Sequence, residues 1–381
     1  MDRSVYTDDH EQFRKSVHDF LERQVAPRVE EFAEHKLIAR DVWRAAGEQG
    51  VLGLEIPEGY GGGEAGDYRF NAVATEELAA VNAALASAFG IHFDIATPYV
   101  VDLAAESQKQ QWLPRMAAGE AVAAIAMTEP SGGSDLANLK STAVRDGSDW
   151  ILNGAKTFIT NGYTADIVVV AARTDPEKRS KGISLFLVDS SLPGFERGRK
   201  LDKVGQPEAD TAELFFDDVR LPADALLGEP GMGFVAMMER LPQERVGAAV
   251  ANIAHAKQIL HETIEYAKER KAFGNSIGSF QHNKFLLAEL VTKIEVAQAY
   301  VDAAVVEHAG AGLSAVDAAK AKWWSAQVQN EVLDHCVQLH GGYGYMREYR
   351  AARAWMDARV TKIWAGSNEI MKEIIGRDLA L

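Results

Sequence analysis

Hydrophobic spacing along this 381-residue chain changes period twice, and the two changes exclude any single uninterrupted architecture. From Asp8 to about Ala121 apolar residues recur at helical spacing, as in Phe13, Val17, Phe20 and Leu21 and then Val42, Trp43 and Ala46. From about Val122 to Met232 the runs are short and rich in β-branched and aromatic residues: WILNG, TFIT, DIVVVAA, GISLFLV and AELFFDDV. Turn clusters such as DGSD (146–149) and SLPG (191–194) separate them, as in an antiparallel sheet or barrel. After Gly233 helical spacing returns, with Ile253, Leu260, Ile264 and Ala267 on one stripe and Leu286, Leu290, Ile294, Ala297 and Val301 on another. The expected fold is therefore α+β and mainly α. A helical domain spans 1–121, a middle antiparallel β-barrel or sandwich domain 122–232, and a bundle of four long helices 233–381, ending near Arg377.

Within the first region, PEGYGGGEAG (57–66) is too rich in glycine for a helix and does not lead from a strand into one, so a loop is expected rather than a dinucleotide-binding turn. A second break is expected at Pro98, and Gly119 is expected to close the last helix of this layer. The uncharged stretch from Leu78 to Phe93 is shorter than the roughly 20 residues of a membrane span and reads as one buried core helix.

Charge narrows the partners. Forty Lys plus Arg against 55 Asp plus Glu leave a net charge of −15, which provides no global field for a polyanion, so nucleic acid is not expected. The single cysteine, Cys336, allows no disulfide within the chain and no thiolate metal cluster, so no metal is expected and a reducing compartment fits. The first residues, MDRSVYTDDHEQFRK, lack the apolar core of a secretory signal, and the expected location is cytoplasmic.

Five short segments carry the candidate chemistry. AMTEPSGGSD (126–135) opens as a strand and ends in a turn whose glycines, hydroxyls and N–H groups could face a pyrophosphate or flavin edge; taken alone it better suits a structural loop with an Asp cap. KTFITNG (156–162) puts Phe158 and Thr160 on one strand face, where a ring and a hydroxyl could cover a flat heterocycle or simply line a core. RKAFGNSIGSFQ (270–281) follows a long helix and also suits a helix end with a solvated Arg270. CVQLHGGYGYMREY (336–349) ends a helix in Gly341 and Gly342, which permit close approach of the backbone to a ligand or a neighbouring chain. In WAGSNEI (364–370), Ser367 or Asn368 is placed to cap the final helix, whose free N–H groups could also hold a phosphate.

In order, spacing and wording these segments resemble the signature set of the acyl-CoA dehydrogenase family, and the resemblance covers essentially the whole chain. LPQER (241–245), GSDWILNGAKTFITNG and ARVTKIWAGSNEIMKEII are most similar to its long-chain branch. The resemblance implies FAD as cofactor, an acyl-CoA substrate, electron-transfer flavoprotein as acceptor and a homotetramer working in fatty acid β-oxidation. It implies that Met127, Thr128, Gly133, Ser134, Phe158 and Thr160 meet the flavin of their own subunit. Arg270, Phe273, Phe280, Gln281, Gln338, Gly341 and Gly342 would reach the FAD of a neighbour, with Ser367, Asn368 and Glu369 near its diphosphate and ribityl end. Ser134 and Arg245 match positions that also touch acyl-CoA. Phe158 stands where many relatives carry tryptophan, a change shared with the long-chain branch.

The implied reaction needs a carboxylate to take the α-proton of a thioester while the β-hydrogen leaves as hydride. In the medium- and short-chain branches that glutamate directly precedes the glycine of the WAGSNEI-type motif, where this chain has Ala365. The long-chain and isovaleryl branches supply it far upstream, at the position of Glu244, 26 residues before Arg270. Without the family frame, Glu244 reads as an acid near a helix amino terminus after Pro242, paired locally with Arg245. The Ala365 backbone N–H remains available to donate to the thioester carbonyl beside a ribityl hydroxyl. Two other readings stay open: a flavin-dependent oxidase or monooxygenase on the same scaffold, and a non-catalytic flavin-binding subunit.

Overall fold

The computed structural model describes residues 3–381. Helices α1 (Asp8–Phe20), α2 (Val29–His35), α3 (Arg40–Glu48), α4 (Arg69–Val81), α5 (Ala83–Gly90), α6 (Thr97–Leu103) and α7 (Glu106–Ala117) form the amino-terminal layer. Val17, Phe20, Leu21, Val42, Trp43 and Ala46 meet in one core, as their spacing predicts. Two expectations need correction. Leu78–Phe93 is buried but is not one helix, because Asn82 is extended and its side chain accepts from Ala84 N at 2.7 Å, ending α4 and capping α5. Pro98 breaks nothing: α5 continues through a π-helical turn (Ile91–Ala96) into α6, and Pro98 sits in the first turn of α6. The stretch Ala83–Leu103 is long and apolar enough to cross a membrane, yet 72% of its apolar window is buried inside the protein. Gly119 does follow α7, at φ +68°, where a Cβ would fall 2.1 Å from Trp43 O of α3.

Strands β1 (Ala123–Ala126), β2 (Thr142–Asp146), β3 (Asp149–Thr160), β4 (Ile167–Arg173), β5 (Ile183–Asp189), β6 (Phe195–Lys200), β7 (Thr211–Leu221) and β8 (Leu226–Leu227) make one sheet in the order β6-β7-β3-β2-β4-β5-β8, with β1 beside β4. The pairings are antiparallel except where β1 and the first residue of β2 run parallel to β4. Alternation divides the two central strands. Ile167, Val169, Ala171, Leu185 and Leu187 pack with Tyr99, Trp112 and Met116 of the helical layer, while Val168, Val170, Phe186 and Val188 pack with Trp150, Leu152 and Leu214. Burial on both faces explains why DIVVVAA and GISLFLV are continuous apolar runs rather than alternating ones.

The last third contains α8 (Gly233–Glu269), a small hairpin of β9 (Lys271–Ala272) and β10 (Asn275–Ser276), α9 (Gln281–Ala309), α10 (Ala315–His340), α11 (Arg350–Ala358) and α12 (Asn368–Asp378). Ile253 and Leu260 of α8 and Leu290, Ile294, Ala297 and Val301 of α9 share a core with Val328, Val332 and Cys336 of α10. Of the four long helices expected, α8, α9 and α10 have 37, 29 and 26 residues, while the rest of the bundle is divided between the shorter α11 and α12. The division includes the WAGSN turn, where Ala365 and Gly366 take φ of +51° and +84° and cannot continue a right-handed helix.

Candidate functional site

Helix α8 runs unbroken through Pro242, so Glu244 lies three turns inside it and is not an amino-terminal acid stabilised by the helix dipole. Nor does it pair with its neighbour. Arg245 is buried without an ion-pair partner among the described residues, its Nε has no hydrogen bond, and Glu244 Oε1 is likewise buried without a partner. The Tyr99 hydroxyl from α6 lies near enough to couple electrostatically to Glu244, yet it completes no hydrogen bond. Burial raises the Glu244 pKa to about 7; Arg245 works against the rise, Asp94 adds to it, and the Tyr99 hydroxyl lowers it. A buried carboxylate that titrates near neutrality and keeps an open oxygen has the properties of a general base.

Behind Glu244 lies a polar cluster that the sequence reading did not single out. The Asn71 amide donates to Glu55 Oε1 (2.8 Å) and Asp94 Oδ1 (3.0 Å), and the Gln243 amide donates to the same two oxygens at 2.9 and 3.2 Å. Burial raises Glu55 to about 7 and Asp94 to about 6. Gly247 lets α8 pass this group, since a Cβ there would fall 2.4 Å from Asp94 Oδ2. The available signal was Asp94 itself, a lone acid within an apolar helical run.

The AMTEPSGGSD and KTFITNG segments are clamped together. Lys156 Nζ lies 2.9 Å from Glu129 Oε1, at 0% and 3% side-chain exposure, and donates to Met127 O at 3.2 Å; Thr157 N donates to Thr128 O at 3.0 Å. Glu129 also accepts from the backbone N–H groups of Ser141 and Lys140, which ties down the far end of the loop. Gly133 and Ser134 are left exposed on it. The expected shared face of Phe158 and Thr160 rests on regular alternation, but the strand is bulged between Lys156 and Ile159: Phe158 takes φ +60° with 69% of its surface exposed, Ile159 is buried and Thr160 is half-buried. A bulky aromatic residue in the left-handed region and turned to solvent does not serve core packing.

Two further segments meet at the other end of α8. Arg270 is exposed, forms no ion pair among the described residues, and lies 5.6 Å over the Tyr343 ring. Phe273 is 94% exposed at φ +51° and stands edge-on to the half-buried Phe280, next to Gln281 at the start of α9. Gln338, Gly341 and Gly342 are exposed, with open space around both glycines. Among the described residues no hydrogen bond or ion pair joins this group to the 127–134 loop or to Phe158 and Thr160. Near α12, Ser367 is the cap, accepting from Ile370 N at 3.3 Å. The Asn368 side chain turns inward, donating to Trp323 O at 3.4 Å, while Glu369 is exposed. The Ala365 N–H has no hydrogen-bond partner among the described residues.

A cavity of about 340 Å³ opens elsewhere, between α1, α4, α8 and α11, and none of these residues lines it. The donor set fits FAD. An exposed ring and a hydroxyl lie two residues apart on β3, the 127–134 loop offers uncharged donors, and Arg270 is a guanidinium without an ion-pair partner among the described residues that can take a diphosphate.

Family models for the acyl-CoA dehydrogenase N-terminal, middle and C-terminal domains match residues 7–120, 124–219 and 231–380. The mitochondrial long-chain specific acyl-CoA dehydrogenase of Mus musculus is 47% identical over 99% of this chain and 88% of its own length. A crystal structure of acyl-CoA dehydrogenase from Geobacillus kaustophilus has a TM-score of 0.97 at 45% identity, over 100% of both chains. A glutaryl-CoA dehydrogenase from Mycobacterium smegmatis in complex with FADH2 has a TM-score of 0.92 at 29% identity, over 98% of this chain and 95% of that one. The chain belongs to the acyl-CoA dehydrogenase family of FAD-dependent oxidoreductases.

Proposed function

We propose that this enzyme converts a fatty acyl-CoA of long chain to the trans-2-enoyl-CoA, with Glu244 as the base. The observation that carries the proposal is the open, buried Glu244 Oε1 on a carboxylate poised near pH 7, in a chain whose other family position for the base is Ala365. Glu244 takes the α-proton, and the free Ala365 N–H steadies the negative charge that develops on the thioester oxygen. Arg245, a buried cation next in sequence, adds positive potential and, with Ser134, contacts the acyl-CoA. Bound FAD supplies the acceptor for the β-hydrogen, which leaves as hydride. Met127, Thr128, Gly133, Ser134, Phe158 and Thr160 hold the flavin of their own subunit, and Ser367, Asn368 and Glu369 lie toward its diphosphate and ribityl end, Asn368 through its backbone.

Oligomer and cofactor are linked in this reading. Phe273 and Val296 are 94% and 62% exposed, which suits surfaces covered by other copies of the chain. A homotetramer would bring Arg270, Phe273, Phe280, Gln281, Gln338, Gly341 and Gly342 of one subunit to the FAD of the next. Electrons pass on to an electron-transfer flavoprotein, and the lone buried thiol, Cys336, fits work in the cytoplasm. Anaerobic titration with acyl-CoAs of graded length, followed by loss of flavin colour, tests the proposal: long-chain substrates should bleach it stoichiometrically. Oxygen uptake during turnover would favour an oxidase, and colour that no acyl-CoA removes would favour a non-catalytic subunit.

A further inference from the structure

Lys322 is fully buried in α10 and has no acidic partner within ion-pair distance among the described residues. A buried ammonium without a counter-ion is costly, so its bonds matter. It makes two: Nζ donates to Gly366 O at 2.6 Å and, at 3.5 Å, to Asn368 Oδ1. Burial and the neighbouring Arg245 lower its pKa to about 8, while Glu369 opposes them. Lys322 therefore stands electrostatically between α8, which carries Glu244 and Arg245, and the turn that carries Ala365.

That turn is unusual in its backbone. Ala365 and Gly366 take left-handed φ in succession, and Ala365, which has a Cβ, is strained there. On one side the Trp364 N–H is fixed to Val360 O at 3.1 Å, and on the other Ser367 caps α12. Between these anchors, the carbonyl of Gly366 is held by Lys322 and the Ala365 N–H is left free. A charge-assisted bond to that carbonyl fixes the rotation of the turn and hence the direction in which the Ala365 N–H points.

We propose that Lys322 is a positioning residue: by holding Gly366 O it locks the left-handed Ala365–Gly366 turn and aims the Ala365 N–H at the thioester carbonyl of the substrate. This rests on the donor role given to Ala365 above. Displacing an oriented group by about 1 Å can cost around 100-fold in rate, so the alignment has kinetic weight.

The test is infrared difference spectroscopy of trans-2-enoyl-CoA, isotopically labelled at the thioester carbonyl, bound to the FAD-loaded wild type and to Lys322→Met. In wild type the carbonyl stretch should fall to lower frequency than in water. In Lys322→Met at least half of that shift should be lost, with kcat for flavin bleaching down roughly 10- to 100-fold and product Kd changed less than about threefold. Thermal stability should change little, because loss of the bond to Gly366 O offsets the removal of a buried charge. If Lys322→Met does not assemble, Lys322→Gln, too short to keep the 2.6 Å bond, carries the same expectation. A shifted wild-type carbonyl that stays equally shifted in the variant overturns the role of Lys322 alone. An unshifted wild-type carbonyl overturns the Ala365 donor reading and the Lys322 inference with it.

Discussion

Replacing Glu129 with Gln removes the charge that clamps the 127–134 loop to β3. Lys156 Nζ, 2.9 Å from Glu129 Oε1 and fully buried, would keep only Met127 O at 3.2 Å as an acceptor if the new amide turned its oxygen to the backbone N–H groups of Lys140 and Ser141. Removing one partner of a buried pair costs about 3–5 kcal/mol, because the other charge stays buried and uncompensated. At roughly 2–4 °C per kcal/mol for a large domain, Tm should fall by on the order of 10 °C. The acid limb should change too. Burial works to raise the Glu129 pKa, yet the hydrogen bond and charge of Lys156, with the Lys140 and Ser141 donors, hold it at about 2. A depressed carboxylate stabilises the fold above its ordinary value of 4.5, and that stability is lost as pH falls toward about 2. Glu129→Gln should therefore lose the part of the acid destabilisation that wild type shows below pH 4.5. Scanning calorimetry across pH, with flavin fluorescence reporting cofactor release, measures both effects. Glu129→Gln combined with Lys156→Met should recover most of the lost Tm, since no charge then remains buried. A single variant within about 2 °C of wild type, with an unchanged acid limb, would refute the clamp argument.

Because burial raises Glu244 to about 7 and the base acts when ionised, kcat/KM for flavin bleaching should climb with pH through about 7 and then level off. The same raised pKa, shared by Glu55 and Asp94, makes the fold lose stability as pH rises from the ordinary carboxylate range toward 7, and Tm followed over pH 5–7 checks the sign. Arg270→Ala should weaken FAD retention about 10- to 100-fold, the equivalent of a charge-assisted hydrogen bond of about 1.5–3 kcal/mol, and loosen assembly; unchanged FAD content and mass in solution would count against the intersubunit site. The Cys336 thiol is fully buried and burial pushes its pKa up to about 12, so a thiol reagent should label it only on unfolding; rapid labelling of the folded enzyme would contradict that packing.

What the sequence disclosed and what it hid divide along physical lines. The helical stripes Ile253–Leu260 and Leu290–Val301 were legible, because burial imposes periodicity on them. The bulge that puts Phe158 at φ +60° leaves no periodic trace, since it inserts a residue without changing residue type. Asn82 carried a capping signal that a surrounding apolar run obscured, and Pro98 looked like a break although a first-turn proline costs a helix nothing. Residues whose roles depend on partners distant in sequence stayed hidden. Lys156 meets Glu129 across 27 positions, Gln243 meets Glu55 across 188, and Lys322 reaches Gly366 across 44. Each is a polar residue on an element whose pattern says only that it packs.

The central claim is that Glu244 removes the α-proton. Stopped-flow mixing of the FAD-loaded Glu244→Gln enzyme with a long-chain acyl-CoA tests it most directly, because Gln is nearly isosteric and leaves flavin and substrate binding in place. Bleaching should slow at least about 100- to 10,000-fold while acyl-CoA still binds and the protein stays yellow. Bleaching at the wild-type rate would contradict the assignment.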